Sequence, residues 1–140
     1  TTAGISTAKK SPVILVIGDL SFHYDSNVLH MLKKYQIPIL IILMNNSGGS
    51  IFEYLPVYSD SEEFATYFKA DTEIDFGSLV KACGLEYCIV DSASTFKNSI
   101  KKFMDKPGQI VLELKFDSIK SKEKKDMLKT EILTIFESEL

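Results

Sequence analysis

The sequence contains no arginine, since all sixteen of its basic residues are lysine. Arginine is the usual bidentate partner of carboxylate and phosphate groups, because its guanidinium presents several N–H donors in one plane. A site for anionic groups in this chain would therefore use backbone amides, a metal ion, lysine or another piece of protein. The formal net charge of −3 also argues against a broad basic surface for nucleic acid.

Cysteines and long apolar runs are also scarce. Cys83 and Cys88 match no zinc-binding pattern, because no histidine lies near them in the sequence. We predict that they are buried free thiols in a reducing cytoplasm. The apolar runs have only the length of strands, which predicts neither a secretory signal nor a membrane span. With 140 residues, the chain is predicted to be one globular domain, 1–140.

Apolar strands and helices alternate along the chain. The first two predicted strands are continuous apolar runs, which predicts that both of their faces are buried in a parallel sheet. The predicted strands are 12–17, 38–44, 86–90 and 109–116. The predicted helices are 25–35, 51–55, 75–83, 94–106 and 117–140. This order predicts an α/β fold, an open and mostly parallel sheet with helices on both faces.

Several residues predict where these elements begin and end. Asp25 or Ser26, Asp75 and Ser94 are candidate N-caps, and Gly84 suits the position after a helix end. Residues 57–72 are acidic with interspersed aromatics, which predicts an ordered excursion. The last helix carries an apolar stripe at Leu128, Ile132, Ile135 and Phe136. Residues 1–10 are typical of the end of a helix, so we expect a domain that lacks its first elements and belongs to a larger protein.

Polar side chains follow the first two predicted strands. Asp19 comes directly after one apolar run, and Asn45 and Asn46 follow the next. Ligands of open α/β sheets bind at the carboxyl ends of the strands. A carboxylate, an amide oxygen and a loop carbonyl suit Mg²⁺, and the glycines after Asn46 allow close approach of a ligand. The alternative is that Asp19 caps a helix and that the asparagines and glycines form a turn.

The spacing of these residues resembles a known motif. Gly18-Asp19 and Asn45-Asn46 resemble the two halves of the Gly-Asp-Gly and Asn-Asn motif of thiamin diphosphate-dependent enzymes, with Leu20 in place of the third residue. More narrowly, "GDLSFHYDSN" and "NNSGGSIFEYLP" resemble the menaquinone-pathway synthases of 2-succinyl-5-enolpyruvyl-6-hydroxy-3-cyclohexene-1-carboxylate. The resemblance implies the C-terminal, diphosphate-binding domain of such an enzyme.

The resemblance also implies residue roles. Asp19 and Asn46 would bind Mg²⁺, or alternatively Mn²⁺, through their side chains, and Gly48 through its carbonyl. Ser47 stands where the family often has a third asparagine. The residues implied to bind thiamin diphosphate are Gly18, Asp19, Leu20, Ser21, Asn46, Gly48, Gly49, Ile51, Phe52 and Leu55.

The implied reaction decarboxylates 2-oxoglutarate and adds the succinyl semialdehyde unit to isochorismate. In the family, a glutamate on a separate pyrimidine-binding domain activates the cofactor, and nothing in this chain resembles that domain. We therefore expect no catalytic residue in this chain, no activity of the chain alone, and a homo-oligomeric intact enzyme that acts on small molecules. His23 and His30 are interpreted as a loop residue and a helix-surface residue.

Two other interpretations are consistent with the sequence. The chain could come from another thiamin enzyme, of the acetolactate synthase or 2-oxoacid decarboxylase type. It could also be a non-catalytic, flavodoxin-like module that binds a partner through the Asp19 loop and takes neither cofactor nor metal. The segment "GGSIFEYLP" favours the menaquinone-pathway synthases.

Overall fold

The structure is a computed structural model that describes residues 1–49, 51, 52, 55, 61–68 and 74–138. Its strands are Val13–Gly18 (β1), Ile39–Asn45 (β2), Glu86–Ile89 (β3) and Gln109–Lys115 (β4). Its helices are Thr2–Lys9 (α1), Asp19–Tyr24 (α2), Val28–Lys34 (α3), Glu62–Phe68 (α4), Phe76–Ala82 (α5), Ala93–Asp105 (α6) and Ser118–Ser138 (α7). The chain divides into two units, Thr1–Gly48 with Asp71–Lys115, and Gly49–Ala70 with Phe116–Leu140.

The first unit is built on one parallel sheet. Its four described strands have the order β1-β2-β4-β3, and every neighbouring pair is parallel. Ile39 of β2 stands beside Val13 of β1 on one side and Gln109 of β4 on the other. The prediction of an open parallel sheet is confirmed. Because all strands run the same way, their carboxyl ends meet at one edge, where ligands of such sheets bind.

Helices cover both faces of this sheet, as the sequence predicts. On one face, α2, α3 and α5 bury their apolar side chains against alternate residues of β2 and β4, with Phe22, Leu29 and Phe76 at the centre. On the other face, Phe103 of α6 packs against β2 and β4. The strand residues alternate between the two clusters because successive side chains of a strand point to opposite faces.

The prediction that β1 is buried on both faces is wrong. Ile14 is 47% exposed and Val16 is 63% exposed, whereas Leu15 and Ile17 pack against the first core. β1 lies at the edge of the sheet, and among the described residues no β1 side chain belongs to the core on the α6 face. An apolar run indicates burial, but it does not say which strand lies at an edge.

Two predicted helix starts also need correction. The segment after Gly18, predicted as a loop, is the helix α2, and α3 begins only at Val28. The predicted caps Asp25 and Ser26 are wrong: Asn27 precedes α3, and within the described residues its side chain makes no capping hydrogen bond. The cap of α6 is Ser92 rather than Ser94, because Ser92 Oγ accepts the Thr95 N–H at 3.1 Å.

Other element boundaries are confirmed. The Asp75 side chain caps α5 by accepting the Ser78 N–H at 3.0 Å. Gly84 follows the end of α5 with a left-handed φ of 78°, the conformation that glycine adopts without a Cβ penalty. Both cysteines are free thiols, and Cys83 is buried as predicted, but Cys88 is only half-buried.

The second unit contains α4, α7 and the residues described near Phe52. Phe52, Phe64 and Phe68 form a chain of ring contacts, with centroids 5.9 and 5.3 Å apart. Ile51 and Phe52 form a helical turn, and the rest of the predicted helix at 51–55 lies largely outside the described residues. α4 falls within the predicted excursion at 57–72, whose remaining residues are mostly outside the described ones.

α7 is the predicted last helix, but its apolar stripe is not buried. The four predicted residues are each at least half exposed: Leu128, Ile132, Ile135 and Phe136. Among the helices in the described part of the chain, none is both long enough and apolar enough to cross a membrane.

Candidate functional site

The Asp19 carboxylate joins the ends of the first two strands. Gly18 ends β1 in an extended conformation, and Asp19 begins α2 at once, so its side chain lies at the carboxyl edge of the sheet. Asp19 is only 4% exposed. Its Oδ2 accepts the N–H of Gly48 at 2.8 Å and that of Asn46 at 3.2 Å, and its Oδ1 accepts the Leu20 N–H at 2.8 Å. The two sequence motifs therefore meet at one buried carboxylate.

The loop after β2 has an unusual backbone. Ser47 has a φ of 63° and Gly48 a φ of 131°. Both values lie in the region that L side chains rarely adopt, and glycine enters it most easily. Asn45 supports this turn, because its Oδ1 accepts the Ser47 N–H at 2.9 Å. A side-chain oxygen that accepts the amide two residues later is a common way for asparagine to hold a turn.

A second buried carboxylate, Glu113 of β4, holds Asn45. Glu113 is 2% exposed, and its Oε1 accepts a hydrogen bond from Asn45 Nδ2 at 2.6 Å. Its Oε2 accepts the hydroxyl of Tyr87 from β3. Lys115 Nζ stands 3.6 Å from Glu113 Oε1. β2, β3 and β4 are thus linked through the side chains of Asn45, Tyr87 and Glu113.

The Tyr87 hydroxyl remains a donor over a wide pH range. Burial, followed by the hydrogen bond to Glu113 and the charge of that carboxylate, raises the pKa of Tyr87 well above its ordinary value. A phenolate beside Glu113 would place two like charges in contact. The neutral phenol instead donates a hydrogen bond to the carboxylate, which favours one fixed arrangement of the network.

The network of Asn45, Glu113 and Tyr87 is not predicted from the sequence. A signal was present: Glu113 interrupts the apolar run of β4 at a position that pairs with Leu43 and Ile89. A carboxylate in a buried strand must be hydrogen-bonded, because an unpaired buried charge is costly. Its partners could not be read from the sequence, since they depend on the strand order.

The predicted cofactor residues fall into both units. Gly18, Leu20 and Ser21 stand at the start of α2 beside Asp19, and Ser21 is exposed. Gly49, Ile51, Phe52 and Leu55 belong to the second unit, where the last three are 69%, 38% and 46% exposed. The cofactor roles of all these residues stay predictions. His23 and His30 are exposed, and His23 lies in α2 rather than in a loop.

The donors at this edge suit a hard cation. Asp19 offers a carboxylate, and it accepts hydrogen bonds from the backbone N–H groups of Asn46 and Gly48. Asn46 adds a side-chain amide oxygen to the same loop, and Gly48 adds a peptide carbonyl. Mg²⁺ prefers oxygen ligands and is commonly held by few protein groups together with phosphate oxygens. Within the described residues, no three His, Cys, Asp or Glu side chains are grouped to hold a metal ion. A site here would therefore depend on amide, carbonyl and cofactor oxygens as well as Asp19.

Comparisons with known proteins point in one direction. Residues 1–114 match the family model described as thiamine pyrophosphate enzyme, C-terminal TPP binding domain. The 2-succinyl-5-enolpyruvyl-6-hydroxy-3-cyclohexene-1-carboxylate synthase of Bacillus velezensis is 42% identical over 81% of this chain, and that of Bacillus pumilus is 36% identical over 84%. The chain spans 20% of the length of each of these relatives.

A solved structure has a similar fold. It is the thiamine diphosphate-dependent 4-hydroxybenzoylformate decarboxylase of Rhodococcus jostii, which is 25% identical and superposes with a TM-score of 0.67. The match covers 83% of this chain and 22% of that one.

Proposed function

Because the chain belongs to the thiamine pyrophosphate enzymes, as their C-terminal TPP-binding domain, we propose that it serves a 2-succinyl-5-enolpyruvyl-6-hydroxy-3-cyclohexene-1-carboxylate synthase. The identity to two such synthases supports this choice. So does the segment "GGSIFEYLP", which resembles those synthases at the loop after the asparagines. We take all 140 residues as this domain.

The metal site consists of Asp19, Asn46 and Gly48. Asp19 and Asn46 bind Mg²⁺ through side-chain oxygens, Gly48 binds it through its carbonyl, and Mn²⁺ is the alternative ion. One observation carries this assignment: Asp19 Oδ2 accepts hydrogen bonds from the amides of both Asn46 and Gly48. A single carboxylate thereby fixes the loop that carries the other two donors.

Gly18, Leu20 and Ser21 would hold the diphosphate at the start of α2. Without arginine, its charge is balanced by the metal ion and by polar groups at the start of α2, including the Ser21 hydroxyl. The family resemblance assigns cofactor roles to Gly49, Ile51, Phe52 and Leu55 as well, and these roles are part of the proposal. The amide of Leu20 already donates to Asp19, so Leu20 acts mainly by holding that carboxylate in place.

The chain contributes binding and orientation, and it contains no catalytic residue. When bound, thiamin diphosphate supplies the carbanion chemistry for decarboxylation of 2-oxoglutarate and transfer of the succinyl semialdehyde unit to isochorismate. The glutamate that activates the cofactor lies on a pyrimidine-binding domain, and the intact enzyme is a homo-oligomer of the cytoplasm. A precise position matters because small displacements of a bound reactant lower the rate steeply.

A second candidate is a 2-oxoacid decarboxylase. The fold similarity to the 4-hydroxybenzoylformate decarboxylase favours it, but at 25% identity this support is weaker than the 42% identity to the synthase. Addition of isochorismate separates the two functions, because only the synthase forms a product that contains both substrates. The flavodoxin-like module without cofactor is disfavoured, since the chain belongs to a TPP-binding family.

A metal-binding titration tests the proposed site. Electron paramagnetic resonance follows the loss of free Mn²⁺ as the chain is added in the presence of thiamin diphosphate. Asp19→Ala should weaken Mn²⁺ binding by more than about 100-fold, beyond the ~10–100-fold typical of outer-sphere partners. Asp25→Ala is the matched control, because Asp25 is an exposed carboxylate at the end of the same helix. Equal affinities of the two variants would remove Asp19 from the metal site.

A further inference from the structure

Glu113 is a buried carboxylate for which the proposed metal site has no direct use. It sits in β4, between β2 and β3, and both of its oxygens accept hydrogen bonds from neighbouring strands. A buried carboxylate is costly unless it is satisfied in this way. An apolar residue at position 113 would continue the apolar run of β4. Packing therefore does not explain why a carboxylate stands there.

Glu113 is hydrogen-bonded to Asn45, the last residue of β2. Asn45 begins the segment Asn45–Gly48, which we call the metal loop. Asn45 is 8% exposed and uses both ends of its amide: Nδ2 donates to Glu113, and Oδ1 accepts from the Ser47 amide. The hydrogen bond to Glu113 determines which end of the amide faces Ser47. That choice then supports the left-handed backbone of Ser47 and Gly48.

We propose that Glu113 is a positioning residue of the metal loop, which acts through Asn45 to hold the donors of Asn46 and Gly48 in place for the metal ion. This inference rests on the proposed function. Asp19, which follows β1, accepts hydrogen bonds from two backbone amides of the loop. Glu113 of β4 accepts one from the side chain of Asn45. Glu113 itself is not one of the proposed metal or cofactor ligands.

The chemistry of the network predicts which substitutions are tolerated. Glutamine at position 113 can still accept from Asn45 with its oxygen, while its amide nitrogen donates to the Tyr87 hydroxyl, which can accept as well as donate. Leucine can do neither, and it leaves the buried Asn45 amide without its acceptor. Glu113→Gln should therefore preserve positioning, whereas Glu113→Leu should lose it, although both remove the charge.

Two measurements on the chain test this difference. The first is amide hydrogen exchange at Ser47, expressed relative to Leu85, whose amide is bonded to the Val80 carbonyl in α5. Global destabilisation accelerates both amides, but loss of positioning accelerates Ser47 alone. We expect Glu113→Leu to raise the Ser47-to-Leu85 exchange ratio at least tenfold and Glu113→Gln to change it less than threefold.

The second measurement is Mn²⁺ affinity in the presence of thiamin diphosphate, followed by electron paramagnetic resonance. We expect about a tenfold or greater loss in Glu113→Leu, in the range seen for groups that orient metal ligands, and recovery in Glu113→Gln. Leu112→Val is the matched control, because Leu112 is the neighbouring buried residue of β4 and packs in the core on the opposite face. It should lower stability without changing either readout.

Each outcome separates the inference from the proposed function. An unchanged exchange ratio in Glu113→Leu would overturn the positioning role, as would equal effects of Glu113→Leu and Leu112→Val. If Glu113→Gln behaves like Glu113→Leu, the charge rather than the hydrogen bond matters, and the inference is wrong. If the unchanged chain binds no Mn²⁺ with thiamin diphosphate, the proposed metal site fails, and the exchange ratio alone decides whether Glu113 positions the loop.

Discussion

Asp19 and Glu113 are both buried carboxylates, but they hold different kinds of groups. Asp19 accepts hydrogen bonds from one backbone amide directly after β1 and from two backbone amides after β2. Glu113 accepts them from side chains of the two neighbouring strands. Backbone amides stay in place when a side chain is substituted, whereas the Glu113 network depends on the identity of Asn45 and Tyr87. We therefore expect the Glu113 network to tolerate fewer independent substitutions.

Substitution of Tyr87 should change how stability depends on pH. The pKa of Tyr87 is raised, chiefly by burial, so the folded state favours the neutral phenol. Its contribution to stability is complete below the unfolded pKa of about 10 and is lost as the pH rises from there toward the folded pKa. Tyr87→Phe should lower the free energy of unfolding by ~1–3 kcal/mol at pH 7, because Glu113 loses a hydrogen-bond donor. It should also make the loss of stability at alkaline pH less steep.

Urea unfolding between pH 7 and 11.5 measures this effect. Tyr35→Phe is the matched control, because Tyr35 is 64% exposed. This substitution also removes a tyrosine hydroxyl, but it leaves the hydrogen bond between Tyr87 and Glu113 in place. The unchanged chain and Tyr35→Phe should lose stability above about pH 10 more steeply than Tyr87→Phe. Parallel curves for all three proteins would contradict the proposed role of the phenol.

At the residue scale, the sequence predicted the convergence of Asp19 with the loop of Asn46 and Gly48, but not the support behind it. The prediction succeeded because one crossover between neighbouring parallel strands places both motifs at the same edge. The motif points to Asn46 rather than Asn45 as the metal ligand, and Glu113 falls within the run that predicts the strand 109–116. Their contact joins residues 68 positions apart, and it depends on β4 lying beside β2.

At the element scale, predictions succeeded where the signal is local. The Asp75 cap and the glycine at 84 are fixed by a few neighbouring residues, so both ends of α5 could be read from the sequence. α2 was missed because Asp19–Tyr24 has only six residues and lacks a side-chain cap in the described structure. The edge position of β1 depends on the strand order, which the apolar pattern does not contain.

The packing of α5 on β3 gives a prediction at this scale. A Cβ at Gly77 would lie 2.9 Å from Cε1 of the Tyr87 ring, a distance that real Cβ atoms essentially never show, with Cζ at 3.1 Å and Asp75 Oδ1 at 3.2 Å also tight. The ring cannot move freely, because its hydroxyl is bonded to Glu113. Gly77→Ala should therefore destabilise the chain by roughly 1–3 kcal/mol, despite the better helix propensity of alanine.

Gly4→Ala is the matched control for this substitution. Gly4 also lies in a helix, α1, but a Cβ there meets nothing within 4 Å. We expect Gly4→Ala to leave the free energy of unfolding unchanged or to raise it slightly. In a Tyr87→Ala background most of the cost of Gly77→Ala should disappear, and only the longer contact of the new Cβ with Asp75 Oδ1, at 3.2 Å, would remain. A cost of the same size without the ring would show that the contact between the ring and Gly77 is not the cause.

At the scale of the whole molecule, the chain spans about a fifth of the length of the synthases that it resembles. It also leaves apolar side chains of β1 in solvent, with Val16 63% exposed. Apolar surface of this kind commonly marks a contact with other protein.

We predict that the chain alone does not turn over 2-oxoglutarate, with or without isochorismate. The reason is that, under the proposed function, the glutamate that activates the cofactor lies on a pyrimidine-binding domain, whereas this chain supplies the proposed metal site. Release of CO₂ from labelled 2-oxoglutarate measures turnover. Addition of a polypeptide that carries the pyrimidine-binding domain should restore activity, and Asp19→Ala should abolish the restored activity. Turnover by the chain alone would refute the proposed division of roles.

The place of Glu113 in an inner strand of the described sheet would link the proposed ion binding to correct strand pairing. A slip of β4 by one residue would turn Glu113 to the opposite face and bring a leucine to the metal loop, since Leu112 and Leu114 flank it. A chain with shifted strand pairing could look compact and helical and yet fail to hold the ion tightly. Mn²⁺ uptake during refolding would therefore count only those molecules whose strands had paired in register.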